Sequence, residues 1–137
     1  MKPAVLLAGT ALLISSPATA LETYCNSTNV RTHDRGHFEA KWWVVHPSAR
    51  RTQMPGQTKP TTTCSISYAS VGAMYRPIEI IKPPKNGRAE IRNTYVLAYS
   101  PTKLGADEVT IKIYWDKRGQ LAEATVRYLI DVVDKPL

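Results

Sequence analysis

Residues 83–115, PPKNGRAEIRNTYVLAYSPTKLGADEVTIKIYW, hold no His, no Cys and no Ser-centred catalytic motif. Their order is turn, strand, turn, strand. Ala89, Ile91, Tyr95, Leu97 and Tyr99 form one row, and Arg88, Glu90, Arg92 and Thr94 alternate with them. A period of two is the signature of a strand with one buried face. Val109, Ile111, Ile113 and Trp115 repeat the pattern opposite Thr110, Lys112, Tyr114 and Asp116.

The alternation continues beyond this stretch. Ala122, Ala124, Val126, Tyr128, Ile130 and Val132 alternate with Glu123, Thr125, Arg127, Leu129 and Asp131. Between the last two runs lies DKRGQ, whose Gly119 accepts a positive φ, which marks a β-hairpin. Pro83 to Gly87 and Ser100-Pro101 are further turn signals. Upstream, Cys64, Ile66 and Tyr68 share one parity, and Ile78 and Ile80 follow Pro77. No window in the mature part carries a helical period, and five or six strands are expected from Phe38 onward. Short strands at close spacing predict an all-β fold, a small antiparallel sandwich or barrel.

The N-terminus reads differently. In MKPAVLLAGTALLISSPATA, Lys2 is a basic start, Ala4 to Ile14 are apolar, and Ala18-Thr19-Ala20 is a small-residue cleavage site. Residues 1–20 are thus expected to be a secretory signal peptide. An apolar run of about 11 residues is shorter than the roughly 20 that cross a bilayer. Cleavage would leave 117 of the 137 residues, the size of a single domain, with 21–36 read as an extended N-terminal segment. A secreted or periplasmic location is oxidising, so Cys25 and Cys64 are expected to form a disulfide that ties this segment down. They show no C-x-x-C spacing that would favour a metal or a catalytic thiol.

The chain carries 18 Lys and Arg against 11 Asp and Glu, a net charge of +7 that becomes +6 without Lys2. This balance favours anionic partners. The charges are dispersed, with Arg50-Arg51 and Lys117-Arg118 the adjacent basic pairs, which suits a solvated surface as well as it suits an anion site.

The residues of the opening stretch also carry a resemblance. Pro84 and Gly87, a strand ending at Tyr99 and Pro101, then Gly105 and Asp107 before another strand resemble the bacterial Ig-like modules of exported and cell-surface proteins. The match covers about the last 60 residues. It implies an Ig-like β-sandwich over 21–137. Each residue also has a local reason to stand in a turn: glycine for turn backbones, proline for fixed φ, and Asp107 for bonding its own loop. Such folds host unrelated functions, so the resemblance gives a scaffold rather than an activity.

Candidates for chemistry are few. His33 and His37, four apart in THDRGH beside Asp34, would form a zinc face on a helix, but Gly36 and the polar composition predict a loop. His46 stands apart. No nucleophile elbow, P-loop or H-E-x-x-H occurs. No catalytic, cofactor or metal residue is expected, and the protein is read as a non-enzyme.

Two surfaces remain as partner-binding candidates. Trp42 and Trp43 occupy both faces of one strand, which is either a central strand covered on both sides or one presenting an aromatic patch to an exported protein. Set side by side, strands 88–99, 109–116 and 121–132 would gather Arg88, Arg92, Lys112 and Arg127 around Tyr114. That patch would suit an anionic envelope glycan or lipid, although Glu90, Asp116 and Glu123 share the face and would pair with it. Nucleic acid is not an expected partner, and no membrane span is expected. The resulting expectation is a small antiparallel Ig-like β-sandwich with one disulfide, serving as a binding or structural accessory module of a bacterial envelope. The alternative is a small periplasmic inhibitor or accessory factor of an envelope enzyme. An inhibitor of a basic lysozyme would need acidic charge, which this chain lacks.

Overall fold

A computed structural model describes residues 23–28, 36–51, 56, 61–68 and 76–137. The signal-peptide reading of 1–20 and the candidate ligand His33 fall outside them. Eight strands occur among the described residues: β1 (Cys25–Ser27), β2 (Gly36–Val45), β3 (Cys64–Ser67), β4 (Glu79–Lys82), β5 (Gly87–Arg92), β6 (Val96–Pro101), β7 (Gly105–Lys117) and β8 (Gln120–Val133). The only helical element among these residues is a single 3-10 turn, Pro47–Ala49. Seven strands follow Gly36, more than the five or six expected, because the run 88–99 is not one strand. It folds back at Asn93–Tyr95 into the hairpin β5–β6.

The strands form two sheets, ordered β1-β2-β8-β7-β4 and β3-β6-β5. From β3 onward this is the immunoglobulin arrangement, with the first, fourth and third of these six strands in one sheet and the remaining three in the other. The fold is the expected Ig-like β-sandwich. All pairings are antiparallel except β2 with β8, which run parallel from Gly36 beside Ala124 to Val45 beside Val133. β3 to β7 lie between these two strands in sequence, and parallel neighbours cannot be joined by a tight turn.

Alternation decides which side chains enter the core. On β8, Ala122 through Val132 are buried at every second position, and on β7 Val109, Ile111, Ile113 and Trp115 are buried. Ala40, Trp42 and Val44 enter from β2, and Leu97 and Tyr99 from β6. Trp42 is at the centre, 1% exposed, with its ring 5.8 Å from that of Tyr99 and 5.5 Å from that of Tyr128 in tilted contacts. Such geometry adds to plain area burial.

The two lateral sides of the sandwich close by different means. On one, the Cys25–Cys64 disulfide, with Cα atoms 5.7 Å apart, joins β1 in the first sheet to β3 in the second. On the other, Pro83–Asn86 carry the chain from β4 across to β5. The β7–β8 hairpin closes through Arg118 (φ 55°) and Gly119 (φ 81°), two left-handed residues as a type I′ turn requires. Asp116 accepts from the Gly119 N–H at 2.7 Å and holds the turn.

Candidate functional site

The residues that carry the family resemblance converge on one carboxylate. Asp107 Oδ1 accepts from the backbone N–H of Lys85 and of Glu108, both at 2.9 Å. Its Oδ2 accepts from the Asn86 N–H at 3.0 Å and from the Tyr99 hydroxyl at 2.7 Å. Thr102 adds its N–H and Oγ1 to the Asn86 carbonyl. Gly87 owes its place to space rather than to a turn backbone: a Cβ there would lie 2.6 Å from the Tyr99 hydroxyl. Gly105 does have the left-handed backbone expected of it, with φ at 104°. Burial, and then the bond to Asp107, push the Tyr99 hydroxyl well above the ordinary phenol range. This most strongly coupled polar cluster therefore pins the β4–β5 crossing to β6 and β7, and it is scaffold.

Other perturbed groups are scaffold too. The hydroxyls of Tyr68 and Tyr128 bond to each other inside the core, and burial pushes Tyr128 up to about 12. Arg50, half of the Arg50-Arg51 pair, turns inward. Its Nε donates to the Val45 carbonyl at 2.9 Å and its Nη1 to the Thr61 carbonyl, while the guanidinium lies 5.5 Å from the Tyr24 ring. Burial lowers its pKa. It seals the end of the sandwich near the disulfide and is not available to an external anion.

Trp42 and Trp43 part company. Trp42 is in the core and does not face a partner. Trp43 is half-buried on the opposite face, beside Asn26 of β1 and Asp131 of β8. The strand is thus central, between β1 and β8. His37 lies on β2 rather than in a loop, and His46 caps the 3-10 turn, its Nδ1 accepting from the Ser48 N–H at 3.2 Å. Among the described residues no cluster of three metal-ligating side chains occurs.

The proposed basic patch does not assemble. Arg88 and Arg92 are on β5, in the three-stranded sheet, whereas Lys112, Tyr114 and Arg127 belong to β7 and β8 of the other sheet. The chain changes sheet between β4 and β5 and again between β6 and β7, which puts them on opposite outer faces. On the five-stranded sheet Lys82, Lys112 and Arg127 each meet an acid. Lys82 Nζ reaches Glu108 at 2.9 Å, Arg127 reaches Glu108 at 2.6 Å and Glu39 at 2.8 Å, and Lys112 reaches Glu123 at 3.5 Å. Tyr114 donates to Glu79 at 3.0 Å beneath the Arg76 guanidinium. A ladder of alternating charge thus spans β2, β8, β7 and β4, with little net attraction for an outside anion.

This ladder has a pH signature. Hydrogen bonds from Lys82, then Arg127, hold the Glu108 carboxyl down at about 2. A depressed carboxyl stabilises the fold at pH above its unfolded value, and the contribution fades as pH falls through the folded one. Thermal melts between pH 5 and 2 are therefore expected to show a steeper loss for the native protein than for Glu108→Gln, mainly below about pH 4.5. Parallel curves would mean that the ladder is not held in solution.

The outer face of β3-β6-β5 is different. A hollow of about 370 Å³ opens there, lined chiefly by Thr62, Thr63, Arg88, Glu90, Arg92 and Ser100. Arg92 is paired with Glu90 at 2.6 Å, and the Thr63 and Ser100 hydroxyls bond to each other at 2.9 Å. Arg88 is exposed and enters no ion pair among the described residues. The sequence pointed to Arg88 and Arg92, but it missed Thr63 and Ser100, which reach them only through the pairing of β3, β6 and β5. No family model, no curated protein and no solved structure matches this chain.

Proposed function

We propose that the protein is an exported, non-catalytic binding or structural module of a bacterial-type envelope, built as an Ig-like domain of the kind its C-terminal motifs resemble. The observation that carries this reading is how the strongly perturbed groups are used. Asp107 with Tyr99, Tyr68 with Tyr128, and Glu108 with Arg127 each satisfy one another within the scaffold. A catalytic site would instead leave a perturbed acid or base facing a cleft. A disulfide joining the two sheets suits an oxidising compartment, and no helix among the described residues is long and apolar enough to cross a membrane. The polar outer face of the smaller sheet is open to a partner.

The full chain expressed in a bacterium is expected to yield a product that begins at Leu21, recovered outside the cytoplasm and inert to thiol alkylation. Unprocessed chain with two reactive thiols would refute export. The oxidised product is then exposed to envelope fractions of peptidoglycan, acidic polysaccharide, lipid and protein, at low and physiological salt. Retention by an anionic fraction that weakens with salt is expected, because exposed charge pairs are screened over about 10 Å at 0.1 M. Failure to retain any fraction would argue against a binding role.

A further inference from the structure

We propose that the hollow on the outer face of β3-β6-β5 binds a carboxylate-bearing saccharide, with Arg88 holding the carboxylate. The proposal rests on the reading of the protein as a binding module and assigns it a site.

The argument starts from register. Arg88 is directly opposite Ser100, and Cys64 opposite Tyr99, so that Thr63, Ser100 and Arg88 form a row across the three strands. Glu90 and Arg92 continue along β5 on the same face. Arg88 to Arg92 spans about 13 Å at the usual rise of a strand, and the hollow's volume of about 370 Å³ lies within the roughly 300–1,000 Å³ typical of small-ligand sites.

The chemistry is ordered along that length. At one end a guanidinium with no ion-pair partner among the described residues presents a planar fork of donors that matches a carboxylate. Beside it, the bond between Thr63 and Ser100 uses one donor and one acceptor, which leaves the pair a further hydroxyl hydrogen and lone pairs. At the other end Glu90, held by Arg92, offers carboxylate oxygens to hydroxyl donors. A compact phosphate or sulfate would meet one cation and then the Glu90 charge. A ring with one carboxylate and several hydroxyls places its charge on Arg88 and its hydroxyls on Ser100, Thr63 and Glu90. Among the described residues no aromatic side chain lines the hollow, so a neutral sugar finds no stacking platform on them and the carboxylate is the anchor.

The test is isothermal titration of the oxidised protein with a trimer of galacturonic acid, beside maltotriose, inorganic phosphate and phosphatidylglycerol vesicles. Millimolar or tighter binding of the uronate trimer is expected, weakened by salt, with none of maltotriose. Arg88→Gln should weaken it about tenfold to a hundredfold, the usual worth of a charge-assisted bidentate contact, and Arg88→Lys should restore part of the loss. Lys112→Gln, on the opposite sheet, should leave it unchanged. Arg88 is exposed, so these variants should melt as the native protein does. Equal binding of maltotriose, an unaffected Arg88→Gln variant, or preference for phosphate or vesicles would overturn the proposal. If uronate fails while salt-sensitive retention by an envelope fraction persists, the site is wrong and the module reading stands. If both fail, the module reading falls as well.

Discussion

Asp107→Ala is expected to cost about 4 kcal/mol of folding stability, a large part of the roughly 5–15 kcal/mol that holds a domain together. The carboxylate accepts from three backbone N–H groups and from Tyr99. Hydrogen bonds to a charged group contribute about 1.5–3 kcal/mol each, although neighbours sharing one acceptor are not additive. The Tyr99 hydroxyl suffers most, because its residue is 0% exposed and water cannot easily replace the lost partner. Asp107→Asn should lose less, since one oxygen still accepts. Gly87→Ala should also destabilise, by about 1–3 kcal/mol as overpacking does, because the Tyr99 ring lies against the Gly87 Cα and is held there by its bond to Asp107. Urea denaturation reads all three. A Gly87→Ala variant as stable as the native protein would show that Tyr99 does not sit against Gly87 in solution.

Cys25→Ala/Cys64→Ala is expected to cost a similar amount by a different route. The bond closes a separation of 39 residues, which on the chain-entropy account corresponds to about 4 kcal/mol, acting chiefly on the unfolded chain. A fall in melting temperature of about 15 °C follows from the usual enthalpy of a domain this size. The native structure should also loosen locally. β1 is a three-residue edge strand paired only with β2, and the disulfide is its covalent link to the smaller sheet. Faster amide exchange at Cys25–Ser27 and the facing Trp42–Val44 is expected in the variant or after reduction. A loss under about 1 kcal/mol would mean that the unfolded chain is already compact enough to need no tether.

The two hairpins show why parts of this fold were legible and others were not. At β7–β8, Lys117 pairs with Gln120 across a two-residue turn. An even loop shifts the inward row from odd positions (Val109 to Trp115) to even ones (Ala122 to Val132), and the parity break together with Gly119 announces the turn. At β5–β6, Arg92 pairs with Val96 across three residues. An odd loop keeps Ala89, Ile91, Leu97 and Tyr99 on the same parity, so the alternation passes through the turn as though the strand continued. Asn93 (φ 50°) and Thr94 (φ 65°) are left-handed there, and threonine gives no hint of that conformation.

The sequence by itself therefore determined the all-β class, the inward rows of β7 and β8, the cystine and the turns at Gly105 and Gly119. These follow from local period, from the pairing of two thiols and from a spaced set of turn residues. Tertiary structure alone decided that Arg88 and Arg92 face away from Lys112 and Arg127, that Arg50 turns inward, and that Thr63 and Ser100 join Arg88. The reason is physical: periodicity records which side of its own strand a residue takes, whereas the partners it meets depend on which strands lie beside it in the sheet.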